Sequence, residues 1–294
     1  MHIEKLLQLD EEKKSEVESL VNSCLREDGL SRELYLEDDI NFYENFNSFF
    51  LLYDQQQLVS VLTIFLMSGR EVEISGYTLP SKRRKGLFTL LLDAAEEELL
   101  DLDINNIQLV IEPSSTSGKL AAIALGASFL YSEYLLNLKL EEYEKKPIPL
   151  LTDFDFKVSR LLAKDIIQAA YIHAEIFNTD LEVSEELIQN VWNSNCMVCY
   201  GAKLKDKLIG ICNVNYSKEN ASIFGYGILP VYQGNGYGIG LFDYVLRQLI
   251  IEKKNEVNLQ VNSKSKKAIK IYNTIGFQVV TQYDYYGYEI EEEE

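Results

Sequence analysis

The chain has 294 residues, 47% apolar and 25% charged, the composition of a globular protein with material for about two ordinary cores. Its formal net charge of -18 repels a phosphate backbone and argues against nucleic acid as a partner; the same field either draws a cationic substrate such as an amine or serves only to keep the protein dissolved. No apolar run approaches the ~18 residues of a membrane span, and the opening "MHIEKLLQLDEEKK" lacks the apolar core of a secretory signal, so a cytoplasmic setting without a membrane partner is expected.

In chain order, the first landmark is the strand-like "EISGYTLP", which ends at Pro80 and leads into Lys82, Arg83, Arg84, Lys85, Gly86, Leu87 and Phe88. A second such run, "FGYGILP", ends at Pro230, 150 residues later. The same offset relates Leu58 to Leu208, Val59 to Ile209, Arg83 to Gln233, Gly86 to Gly236, and the "LGA" at Leu125 to the "IGF" at Ile275. One constant offset across so many landmarks marks an internal repeat. Two domains of one fold are therefore predicted, 1–146 and 147–294, adjoining at "KKPIPLL", where Pro147 and Pro149 interrupt any regular element.

The second copy opens with two helical patterns, "LLAKDIIQAAYIHAEIF" and "SEELIQNVW", whose apolar residues recur at three and four. Next, "MVCYGAKLKDKLIGICNVN" reads as a hairpin about the charged turn Lys205, Asp206, Lys207. Another strand, a glycine turn, a helix from about Leu241 to Glu252, the strand "EVNLQV", a helix "SKKAIKIYNTI" closed by Gly276, and a tyrosine-rich strand complete the copy. Antiparallel strands first and strand–helix alternation later predict an α/β fold: a mixed, mostly antiparallel sheet flanked by helices, twice over. Cys196 and Cys199 have C-x-x-C spacing, but the chain's histidines are His2 and His173 and no second pair lies nearby, so reduced thiols rather than a metal site are expected.

In "PVYQGNGYGIGLFDYVL" four glycines, at 234, 236, 238 and 240, precede a helix. A strand, a glycine turn and a helix N-terminus together make an anion site, because glycine lets backbone N–H groups approach a phosphate. No Lys-Ser/Thr follows the turn, and 239 is Ile and 241 Leu, so neither the Walker A nor the dinucleotide pattern fits. The stretch Gln233, Gly234, Asn235, Gly236, Tyr237, Gly238 instead resembles the pyrophosphate motif of the GCN5-related N-acetyltransferases, the GNAT family. Leu259, Val261, Ala268, Tyr272, Gly276 and Phe277 fall at the places where that family carries its following strand and helix signature, and the resemblance spans essentially both halves.

The resemblance implies acetyl-CoA as co-substrate, with backbone amides of residues 234 to 240 on the diphosphate and Gln233 orienting the loop. It also implies N–H groups near Ile228 and Leu229 at the thioester, Tyr272 as general acid, and Ser265 where the family often has a cofactor-contacting asparagine. Tyr272 lies equally on an apolar stripe with Ala268, Ile269 and Ile275, a pattern that suits a core tyrosine as well. No base is evident; Asp284 is the weak candidate. The tyrosines of "YDYYGY" either line a pocket or form an edge strand, the second being preferred. In the first copy Phe88 replaces the last small residue of the motif, where it would crowd a phosphate, Ala122 stands at the offset of Tyr272, and Glu73 is either a base or an exposed strand carboxylate. The function expected is acetyl transfer to a primary amine of a small molecule in the C-terminal copy. The alternatives are a non-catalytic acyl-CoA-binding module and a peptide or protein N-acetyltransferase.

Overall fold

The computed structural model describes residues 1–36, 41, 45–68, 71–145 and 153–290; the joint at Pro147 and Pro149 and the run Glu291–Glu294 lie outside the described residues. The first repeat runs β1 (His2–Leu6), α1 (Glu11–Asp28), β2 (Phe49–Asp54), β3 (Gln57–Ser68), β4 (Glu71–Thr78), α2 (Leu87–Leu100), β5 (Asn106–Ile111), α3 (Thr116–Ala124) and β6 (Ser128–Lys139). A short α4 (Leu140–Lys145) follows. The second repeat runs β7 (Phe156–Arg160), α5 (Ile166–Phe177), α6 (Leu181–Asn193), β8 (Met197–Leu204), β9 (Lys207–Tyr216), β10 (Asn220–Ile228), α7 (Tyr237–Ile251), β11 (Glu256–Asn262), α8 (Lys266–Ile275) and β12 (Gln278–Glu289).

Local chemistry sets the boundaries. The Asp10 carboxylate accepts from the Lys13 N–H at 2.8 Å and starts α1. Val17, Leu20, Val21 and Cys24, spaced at three and four, bury one face of it, and Gly29 ends it in the left-handed conformation. The β8–β9 hairpin turns on Lys205 and Asp206, both at positive φ (47° and 65°), the geometry of a two-residue turn whose twist matches its strands.

The chain divides into two compact units, 1–132 with 281–294, and 133–280. In the first unit the strand order is β1-β2-β3-β4-β5-β12, and in the second β6-β11-β10-β9-β8-β7. Each contains one parallel pair, β4 with β5 or β10 with β11, and is otherwise antiparallel. This is the predicted mixed, mostly antiparallel sheet. The last strands are exchanged between repeats: Asp284 of β12 stands opposite Ile111 of β5, and Tyr134 of β6 stands opposite Val261 of β11. In the order of the first unit the strand that carries "YDYYGY" stands last, paired with β5. Tyr283, Asp284 and Tyr285 are buried, Tyr285 stacks on Tyr131 with ring centres 4.6 Å apart, and the Ser132 hydroxyl donates to Asp284 at 2.7 Å.

In the second unit, α7 and α8 cover one face of the sheet through Leu241, Phe242, Val245, Leu246 and Ile275. On the other face α5 and α6 pack through Ala169, Ala170, Ile172 and Ile188. Each fully buried Leu, Ile or Phe contributes about 1.5–3 kcal/mol, so both faces are firmly held. The repeat recurs at the level of single bonds. The Leu79 N–H donates to Val59 O at 3.0 Å and the Leu229 N–H to Ile209 O at 2.9 Å; Arg83 Nε donates to Thr78 O at 3.0 Å and Gln233 Nε2 to Ile228 O at 2.9 Å.

Candidate functional site

Parallel pairing of β10 with β11 begins at Asn220 opposite Glu256 and ends at Ile223 opposite Leu259, although both strands continue. The register on β9 shifts between Phe224 and Gly227, a bulge centred on Gly225 at φ 53°, which glycine adopts without Cβ strain. The strands consequently part and leave a gap beside residues 224–228. Leu229, one of two expected donors at this gap, is excluded because its N–H is committed to Ile209 O. Alternation along an antiparallel ladder turns the neighbouring Ile228 N–H away from β9, towards the gap.

Beyond β10, a 3-10 turn at Pro230–Tyr232 leads into Gly234 and Gly236, at φ 82° and 83°. The Gln233 side chain fastens this loop to the Ile228 carbonyl, and Asn235 Nδ2 donates to Tyr232 O and Gln233 O, each at 3.2 Å. Helix α7 starts at Tyr237 with Gly236 as N-cap, four residues earlier than the glycine content suggested. Gly238 and Gly240 lie in its first turn, where helix propensity matters least. The Gly240 N–H is bonded to Gly236 O at 2.9 Å, so the amide set open to an anion ends at Tyr237, Gly238 and Ile239 rather than reaching 240. The Tyr237 phenol donates to Asp153 at 3.0 Å and its ring stacks on Phe156, so what it offers an anion is its main chain. Ser265 is the exposed N-cap residue of α8, and its side chain makes no capping bond.

Tyr272, on α8, is 7% exposed. Its ring lies among Phe242, Phe277 and Tyr226, with centres 5.7, 5.9 and 6.2 Å away. Burial raises its phenol well above the ordinary tyrosine range, which keeps the proton in place at neutral pH. Across the sheet, on the α5 side of the bulge, Asn213 of β9 is fully buried, and neither atom of its carboxamide has a hydrogen-bond partner. A Cβ at Gly225 would stand 2.6 Å from that amide nitrogen and 3.7 Å from the His173 ring. His173 bonds Ser184 Oγ through Nδ1 at 2.9 Å, and burial pulls its pKa down to about 4. Sequence reasoning missed both residues. For Asn213 the signal is a polar residue inside the apolar run "LIGICNV"; for His173, on an apolar helix face, there is none. Asp284, the weak candidate base, lies in the first unit, where Ser132 and Gln282 bind its carboxylate.

The first unit has the same parted strands, with β4–β5 pairing running from Val72 opposite Ile107 to Ile74 opposite Leu109. Two of its four motif cations are engaged: Arg83 forms a bidentate pair with Asp28 (2.8 and 2.6 Å) and Lys82 pairs with Asp54 at 2.8 Å, while Arg84 and Lys85 are exposed. Phe88 turns onto the strand, its ring 2.8 Å from where a Cβ of Gly76 would be, rather than out over the helix end. Glu73 lies 4.0 Å from Arg32.

Residues 14–124 and 165–277 each match the model of the acetyltransferase (GNAT) family. Comparison with curated proteins returned no match. Among solved structures, a GCN5-related N-acetyltransferase from Sphaerobacter thermophilus superposes with a TM-score of 0.74 at 18% identity, over 94% of this chain and 92% of that one. A tandem GNAT protein from the clavulanic acid biosynthesis pathway, without AcCoA, gives 0.74 at 14% identity over 100% and 99%. The GCN5-related glucosamine N-acetyltransferase region of a fungal multi-domain GH3 β-N-acetylglucosaminidase gives 0.67 at 14% over 98% and 38%. At these identities the likeness is one of fold.

Proposed function

Because the chain belongs to the acetyltransferase (GNAT) family, we propose that it transfers the acetyl group of acetyl-CoA to a primary amine of a small molecule, with the chemistry in the second unit. One observation carries the reading: uncommitted first-turn amides of a 15-residue helix, α7, at an open glycine loop, next to a strand that has parted from its neighbour. The helix end and its N–H groups suit the diphosphate of coenzyme A. The Ile228 N–H, facing the gap, is the donor assigned to the oxyanion that forms when nitrogen attacks the thioester carbonyl. Tyr272, held protonated, is the group assigned to return a proton to the departing sulfur. In the first unit Ala122 stands at the corresponding position, and Lys82 and Arg83 already have carboxylate partners, which favours the second unit.

The test is calorimetric titration with acetyl-CoA of the wild type and of Gly236→Asp, an exchange that tolerates left-handed backbone and sets a carboxylate at the helix N-cap. The wild type should bind one equivalent, and the variant at least ten-fold more weakly with its melting temperature nearly kept. A wild type that takes up no acetyl-CoA removes the reading.

A further inference from the structure

We propose that Glu133, on the last strand of the first repeat, is the carboxylate that accepts the proton of the incoming amine in the second unit; this rests on the acetyltransferase reading above. Register fixes its place. Glu133 stands directly opposite Asn262 at the end of β11. Partners across an antiparallel ladder share a face, and Val257, Leu259 and Val261 of β11 point into the α7–α8 core. Asn262, and Glu133 with it, therefore project on the α5 side. That is the side on which Gly225 and Asn213 meet at the bulge, and Glu133 lies level with the stretch where β10 and β11 have parted. It is half-buried, neither sealed in the core nor fully in solvent.

The first unit shows what this position receives. The registers Asp284 opposite Ile111 and Tyr134 opposite Val261 are the same at an offset of 150, so Glu133 corresponds to Tyr283 and Gly225 to Ser75. In the first unit a cationic group is seated between those two positions. The Arg32 guanidinium lies over the Tyr283 ring at 4.4 Å and donates to Ser75 Oγ at 3.0 Å, while its Nε is buried without a partner. The second unit replaces the aromatic face by a carboxylate and the serine by glycine. The second unit thus keeps the two positions between which the first seats its cation, with a carboxylate at one of them. An ammonium seated there gives one proton to Glu133. Its nitrogen then forms the C–N bond with the acetyl carbonyl carbon, the C–S bond breaks, the thiolate takes the Tyr272 proton, the second proton lost by the nitrogen makes good the phenol, and Glu133 returns its own to solvent. The products are the amide and free coenzyme A.

The experiment measures coenzyme A release by the full-length protein from acetyl-CoA with spermidine, glucosamine and an alanyl peptide as acceptors, for the wild type, Glu133→Gln and Glu133→Ala. The result expected is turnover slowed by about a hundred-fold or more in Glu133→Gln, with acetyl-CoA affinity by calorimetry within two-fold of wild type, and partial recovery of Glu133→Ala by added formate. A Glu133→Gln protein that turns over within two-fold of wild type overturns this assignment and leaves the transferase reading standing. A wild type that binds acetyl-CoA but acetylates none of the three acceptors overturns both. Should Glu133→Gln fold poorly, formate recovery of Glu133→Ala decides, since a side chain of purely structural importance is not replaced by a small carboxylate in solution.

Discussion

Tyr226 and Gly238 in the second unit, and Gly76 and Phe88 in the first, form one contact with its partners interchanged: the aromatic ring comes from the strand in one case and from the helix in the other. A Cβ at Gly238 would stand 2.7 Å from the Tyr226 hydroxyl, too close for any side chain while the tyrosine stays. Gly238→Phe alone should cost about 1–3 kcal/mol as an overpacked site, and Tyr226→Gly alone about 3–5 kcal/mol as a cavity. The double variant rebuilds the arrangement of the first unit, so its loss should fall short of the sum by at least about 1 kcal/mol, the size of coupling seen between touching residues. Urea unfolding of the four proteins measures this, and strict additivity would show that the two positions do not share one space. The pair also explains why Phe88 gives so poor a guide in sequence: the motif position reads as lost, whereas the ring is accommodated by a glycine twelve residues earlier in the chain.

Helices α5 and α6 are tied by the bond between His173 and Ser184, both buried, and this tie carries a pH signature. The imidazole's ordinary value is 6.5, and in the fold it falls to about 4. Between those two pH values the unfolded chain binds a proton that the folded chain does not, so stability falls as pH is lowered through this window and is unaffected by His173 above it. The loss attributable to this group approaches about 3 kcal/mol at the acid end. Urea midpoints at pH 7.0 and 5.0 should separate clearly in the wild type and draw together in His173→Gln; an equal separation in both would place the acid sensitivity elsewhere. At this scale the sequence was largely legible. The hairpin at Lys205 and Asp206, the strand ending at Ile228 and the stop at Gly276 follow from turn residues and apolar period. The start of α7 did not, because Gly238 and Gly240 read as loop while the N-terminal turn tolerates them. Asn213 passed as strand because the ladder around it is apolar on both sides.

The exchange of last strands could not be read from the chain, because β6 and β12 carry the same alternation and pair at the same register, and period and turn chemistry do not name a partner. The side chains do distinguish the two strands once the partner is known. In the second unit β6 places Tyr134, Leu136 and Leu138 on the α7–α8 core, the two leucines almost fully buried; β12 would place Asp284, Tyr286 and Tyr288 at the same positions. Substituting β12 for β6 would press a carboxylate against an apolar cluster, which costs several kcal/mol unless the group is paired or protonated. A polypeptide of residues 133–280 should accordingly fold cooperatively and bind acetyl-CoA, whereas residues 147–294, the second repeat as the chain order presents it, should melt at a clearly lower temperature or stay unfolded with β11 uncovered. Circular dichroism melts of the two, each followed by acetyl-CoA titration, make the comparison. Equal melting and equal binding would mean that β12 replaces β6 without penalty. In that case the second repeat is complete in itself and does not need the strand that brings Glu133.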